Sequence, residues 1–147
     1  MSLPIGTVIY SRNLKESDNK TPGVANHLAI VVDATTVVEA QEDLDGKSGV
    51  ILTPMSAFRA RQYQFGYLYP IDKQVGIKAA AEAKALVGKK YAKLSSIRPR
   101  LNGNNSRRMN CVTVIKVSYS KALGTEIKMA IPDDIFRYGQ VFTDKLA

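Results

Sequence analysis

The sequence predicts an α+β domain, and three observations carry that expectation. Short β-branched and aromatic runs separated by turn residues fill the first half of the chain. A longer segment rich in Ala, Lys and Glu follows, and a second helical segment begins at the only cysteine and stops at a glycine. Strands gathered in one region and helices in another suit a sheet with helices segregated onto it. The 147 residues amount to one domain, 1–147, long enough to bury a core without staples.

Gly6-Thr7-Val8-Ile9-Tyr10-Ser11 reads as the first strand, and residues 13–22 form a polar loop. His27-Leu28-Ala29-Ile30-Val31-Val32 is the second strand, with His27, Ala29 and Val31 on one face. Asp33-Ala34-Thr35 is a turn, and Thr36-Val37-Val38-Glu39-Ala40 returns as the partner strand. A three-residue loop pairs Val32 with Thr36, which sets Ala29 opposite Glu39 and His27 opposite Gln41. Both Glu39 and Gln41 then share the histidine face, about 5 Å away if directly opposite and about 7 to 8 Å if diagonal. A four-residue loop would turn Glu39 to the other face.

Gly49-Val50-Ile51-Leu52-Thr53 is a further strand, and Pro54 suits the first position of a short helix through Arg61. Tyr63-Gln64-Phe65-Gly66-Tyr67-Leu68-Tyr69 alternates as a strand. Sheet packing explains its tyrosines more simply than base stacking. Residues 73–87 form a helix capped by Gly88, with Ile77, Ala80, Ala81, Lys84 and Ala85 as a small packing face. Residues 92–110 carry Ser, Pro, Gly and Asn with Arg98, Arg100, Arg107 and Arg108, and read either as a basic lid beside the cysteine or as a solvated loop. Pro132-Asp133-Asp134-Ile135-Phe136-Arg137 is a short helix, and Val141-Phe142 supplies a last strand.

Chemistry concentrates on two singletons. Cys111 opens the run to Gly124, in which Val112, Ile115, Tyr119, Ala122 and Leu123 recur at helical spacing despite a β-branched stretch that also suits a strand. A thiol at a helix N-terminus meets the positive end of the macrodipole, which favours the nucleophilic thiolate. The plain alternative is a small buried hydrophobe. The only histidine, His27, lies far upstream, and a distant Cys and His with a polar residue to orient the imidazole are the minimum parts of a thiol hydrolase. Glu39 is the expected orienting residue and Gln41 its alternative.

Composition narrows the classes further. One cysteine excludes an internal disulfide framework, and no zinc-like cluster of Cys and His is present. No apolar run is long enough to span a bilayer. The N-terminus lacks the charged and apolar regions of a signal peptide, so a cytoplasmic location is expected. The +8 charge suits an anionic ligand such as a lipid, glycopolymer or nucleic acid, although a solvated basic surface is the simpler reading and nucleic acid is not expected as the main partner.

The order of segments resembles the circularly permuted branch of the NlpC-type papain-like superfamily, with YiiX-like proteins nearest and the lecithin retinol acyltransferase group further off. The resemblance rests on a Gly-hydrophobic opening strand, Asn26-His27-Leu28-Ala29-Ile30-Val31-Val32, Val37-Val38-Glu39-Ala40, Gly49-Val50, Gly88-Lys89-Lys90-Tyr91, and Asn110-Cys111 opening a helix. It implies an antiparallel sheet or half-barrel packed against helices, with the nucleophile at a helix N-terminus. Carried over residue by residue, it implies Cys111 as nucleophile, His27 as general base and Glu39 as orienting residue, with no metal or cofactor. The implied substrate is a peptide, amide or acyl group. Val112-Thr113 stands where YiiX-like proteins usually carry a polar pair after the Cys, and Met109-Asn110 where an aromatic often precedes it. The backbone N–H of Cys111 is the natural oxyanion donor and the Asn110 side chain a second candidate. A degenerate papain-like binding domain is the rival expectation.

Overall fold

Runs of Val, Ile and Leu at alternating positions bury both faces of a sheet when helices cover each side, and the N-terminal half of this chain follows that pattern. The computed structural model describes residues 2–12, 25–44, 46–61, 64–91 and 108–146. Six strands, β1 (Val8–Arg12), β2 (His27–Asp33), β3 (Thr36–Leu44), β4 (Lys47–Pro54), β5 (Gln64–Pro70) and β8 (Phe142–Thr143), form one sheet in the order β4-β3-β2-β1-β5-β8. Each neighbouring pair is antiparallel. A separate parallel pair joins β6 (Lys90–Tyr91) to β7 (Arg108–Met109).

The two sheet faces have different covers. On one, α1 (Met55–Arg61) brings Met55 and Phe58 onto Ile9, Ala29, Val31 and Val37. On the other, α2 (Lys73–Ala85) and α3 (Cys111–Leu123) close over Val8, Leu28, Ile30, Val38 and Leu68. A 3-10 helix, Pro132–Arg137, precedes β8. Among the described residues no helix is long and apolar enough to cross a membrane.

The central hairpin reaches the expected register by a different turn. Ala29 pairs with Glu39, Ile30 with Val38 and Val31 with Val37, but Asp33 then pairs with Thr36. The loop is therefore two residues, not three, and a bulge at Val32 absorbs the difference. Asp33 Oδ1 accepts from the Thr35 N–H at 2.9 Å, a local bond that favours the tight turn.

Three other expectations are corrected. Pro54 ends β4 and does not open α1, because Thr36 is still paired with it. The buried face of α2 is Gly76, Ala79, Ala80 and Ala83, while Ile77 is exposed. A helix whose largest buried side chain is alanine takes its orientation from backbone closeness, and Gly76 sits against Gly6. Gly88 is not the cap of α2, which Leu86 closes. With φ of 101° Gly88 turns the chain back to β4, where its N–H donates to the Val50 carbonyl at 2.9 Å and Val50 N–H donates to Lys89 at 2.8 Å. Of the segment 92–110 read as a lid or a solvated loop, residues 92–107 lie outside the described residues.

Gly6 joins the sheet to both large helices. Its N–H donates to the Val31 carbonyl at 2.8 Å, and its own carbonyl accepts from the buried Tyr119 hydroxyl of α3. Its φ is 94°, and a Cβ there would strike the Gly76 backbone. Gly6→Ala is expected to destabilise the fold by about 2 to 4 kcal/mol, combining left-handed strain with overpacking. Urea unfolding measures this, and a change below about 0.5 kcal/mol, the level of a surface substitution, would contradict the account.

Candidate functional site

His27 is the first residue of β2 and Cys111 the first of α3, so the two singletons sit where a strand and a helix begin. Ser11 pairs with His27, the Asn26 N–H donates to the Ser11 carbonyl at 2.9 Å, and the Ala25 N–H donates to Asp133 Oδ1 at 2.8 Å. The chain leading into the histidine is thereby fixed from both β1 and the 3-10 helix.

His27 is 3% exposed and Glu39 is fully buried. The His27 Nε2–H donates to Glu39 Oε1 at 2.8 Å. Gln41 Nε2 donates to the same oxygen at 2.8 Å and lies 3.4 Å from the ring nitrogen. Glu39 is thus the direct partner of the imidazole, and Gln41 holds the carboxylate. Hydrogen bonding and charge from the Cys111 thiol also act on the His27 ring. Nε2 is taken by Glu39, which leaves Nδ1 as the ring nitrogen open to a second partner. All three residues named from the sequence meet at one imidazole.

Two further side chains belong to the site. Arg61 Nη2 donates to Glu39 Oε1, and Phe58 stacks on the His27 ring with centroids 6.2 Å apart and an interplanar angle of 27°. Sequence reading treated both as ordinary residues of a short helix. Their three-residue spacing, which puts them on one helical face, was the only available signal.

Electrostatics follows from this packing. Burial alone drives the His27 ring towards its neutral form, but hydrogen bonding to Cys111 and Glu39, with the charges of both, outweighs it and raises the ring to about 10. Burial likewise favours neutral Glu39, yet hydrogen bonds and charge from His27, then from Arg61, hold it down at about 2. The favoured state is a buried imidazolium beside the Glu39 carboxylate.

Helix α3 begins with Asn110 as its N-cap, whose Oδ1 accepts from the Thr113 N–H at 2.9 Å and the Thr113 hydroxyl at 3.0 Å. Its Nδ2 is buried and has no hydrogen-bond partner among the described residues. The N–H groups of Cys111 and Val112 open the helix and have no intrahelical acceptor. Three donors therefore cluster around the start of the helix that carries the sulfur. Among the described residues, no group of three His, Cys, Asp or Glu side chains is placed to hold a metal ion. Comparisons with protein families, curated proteins and solved structures return no match.

The pH dependence of stability has a defined sign. His27 rises from 6.5 to about 10 on folding, so its contribution is complete below pH 6.5 and is lost as pH climbs to 10. Glu39 falls from 4.5 to about 2, so its contribution is complete above pH 4.5 and is lost as pH drops to 2. The urea midpoint is expected to be highest between pH 4.5 and 6.5 and to decline on both sides. His27→Ala with Glu39→Gln should flatten both slopes, and slopes unchanged in that double variant would contradict the assignment.

Proposed function

We propose that the chain is a cysteine-dependent hydrolase, an amidase or peptidase or an acyl esterase, built on a permuted papain-like domain of the YiiX-like kind. The observation that carries this reading is one buried imidazole that bonds a carboxylate and is acted on by a thiol, from elements far apart in sequence. The sheet with helices packed on it and the order of His before Cys are in keeping with the permuted branch.

Cys111 as thiolate attacks the carbonyl carbon of an amide or ester, and the carbonyl π electrons move onto oxygen. The Cys111 and Val112 N–H groups with Asn110 Nδ2 are the donors offered to that oxyanion. His27, held as imidazolium by Glu39, gives its proton to the leaving amine or alcohol, and a thioester remains on Cys111. Water then loses a proton to His27 and attacks the thioester. The acid departs, and the thiolate and imidazolium are restored.

Iodoacetamide reads the proposal directly. Cys111 should alkylate rapidly below pH 7. His27→Ala should slow the reaction about 10²-fold or more, in the range of acid–base contributions, and Glu39→Ala about tenfold. Cys111→Ser should remove the label and leave the fold intact. An alkylation rate typical of an ordinary buried thiol, indifferent to His27→Ala, would sink the hydrolase reading.

A further inference from the structure

Arg61 takes no part in the chemistry above, yet it contacts the residue that orients the base. It is the last residue of α1, its side chain is 17% exposed, and it forms an ion pair with fully buried Glu39. Its guanidinium carbon lies 5.4 Å from the centroid of the Phe58 ring, which in turn stacks on His27. Resting on the hydrolase reading, we propose that Arg61 is a positioning residue for the catalytic base. It keeps Glu39 ionised inside the protein and, through Phe58, holds the plane of the imidazole.

The charge count supports this role. With Cys111 as the thiolate that the hydrolase reading requires, thiolate, imidazolium and carboxylate leave one uncompensated negative charge in a buried cluster, which is costly. Arg61 brings the cluster to neutrality. Among the described residues the groups that face Glu39 are His27 from β2, Arg61 from α1 and the neutral Gln41 from β3, while Cys111 of α3 acts through His27. All three donors converge on Oε1, and Oε2 is buried without a partner among the described residues. Without Arg61, His27 is the one described cation left on the carboxylate.

Without Arg61 a positive charge is lost from the buried cluster, and forming the thiolate beside the imidazolium and the carboxylate becomes less favourable. The acid limb of Cys111 reactivity then moves upward. A purely structural anchor for α1 would instead lower the rate by the same factor at every pH.

The test is iodoacetamide alkylation of Cys111 from pH 4 to 9 in wild type, Arg61→Gln and Arg61→Lys, with Arg59→Gln as control. Arg59 is exposed and bonds only Tyr67 among the hydrogen bonds seen for its side chain. Arg61→Gln should displace the acid limb upward by about one pH unit, a roughly tenfold loss of rate on that limb. Arg61→Lys should restore most of it, and Arg59→Gln should leave the profile unmoved. Arg61→Met keeps the apolar stem over Phe58 without charge, and gives the same displacement where the Gln variant does not fold. An acid-reactive wild type whose profile keeps its shape in Arg61→Gln and Arg61→Met overturns the Arg61 role while sparing the hydrolase reading. A wild type with no acid-shifted reactivity removes the hydrolase reading, and the Arg61 role with it.

Discussion

A buried carboxylate next to a buried imidazole is the constraint on which the rest of this structure depends. Glu39 has no exposed surface, and an isolated carboxylate in such a place would be strongly disfavoured. It is tolerated because His27 on the neighbouring strand, Gln41 two residues along its own strand and Arg61 from the covering helix all donate to it. Removing one partner of such a set leaves the others with unbalanced charge. The hairpin register, the placement of α1 and the start of α3 are therefore coupled through a few polar atoms.

The apolar packing explains how these atoms come to one place. Phe58 fills the α1 face of the sheet and supplies a flat surface for the imidazole. Cys111 belongs to the opposite apolar layer with α2 and α3, yet its thiol acts on the same ring. The meeting is possible because His27 begins β2 and Cys111 begins α3, so neither lies in the middle of its element. Gly6 fixes the relation between sheet and helices through bonds to Val31 and Tyr119.

Much of this is legible in the sequence where one local rule dominates. Gly124 stops α3 with φ of 74°, as the last apolar residue at helical spacing suggests. Ala29 and Glu39 pair as the hairpin arithmetic requires, although the turn is shorter and a bulge compensates. The three candidate residues Cys111, His27 and Glu39 were the two singletons and a carboxylate on a shared strand face. Legibility fails where tertiary closeness decides. The face of α2 is set by glycine contact with Gly6, which hydrophobic periodicity in an alanine-rich helix does not encode. Arg61 looked like any basic residue at a helix C-terminus, where the dipole alone accounts for it. Its ion pair with Glu39 depends on how α1 crosses β3, and no spacing in the sequence reports that.

The charge state of His27 is the most direct test of the central claim, and the single histidine makes it readable without assignment ambiguity. Ring ¹⁵N chemical shifts of His27, followed by NMR across pH, distinguish imidazolium from either neutral tautomer. The account predicts an imidazolium at neutral pH, giving up its proton near pH 10. A neutral ring at pH 7 with a transition near 6.5, the value of a free imidazole, would contradict it.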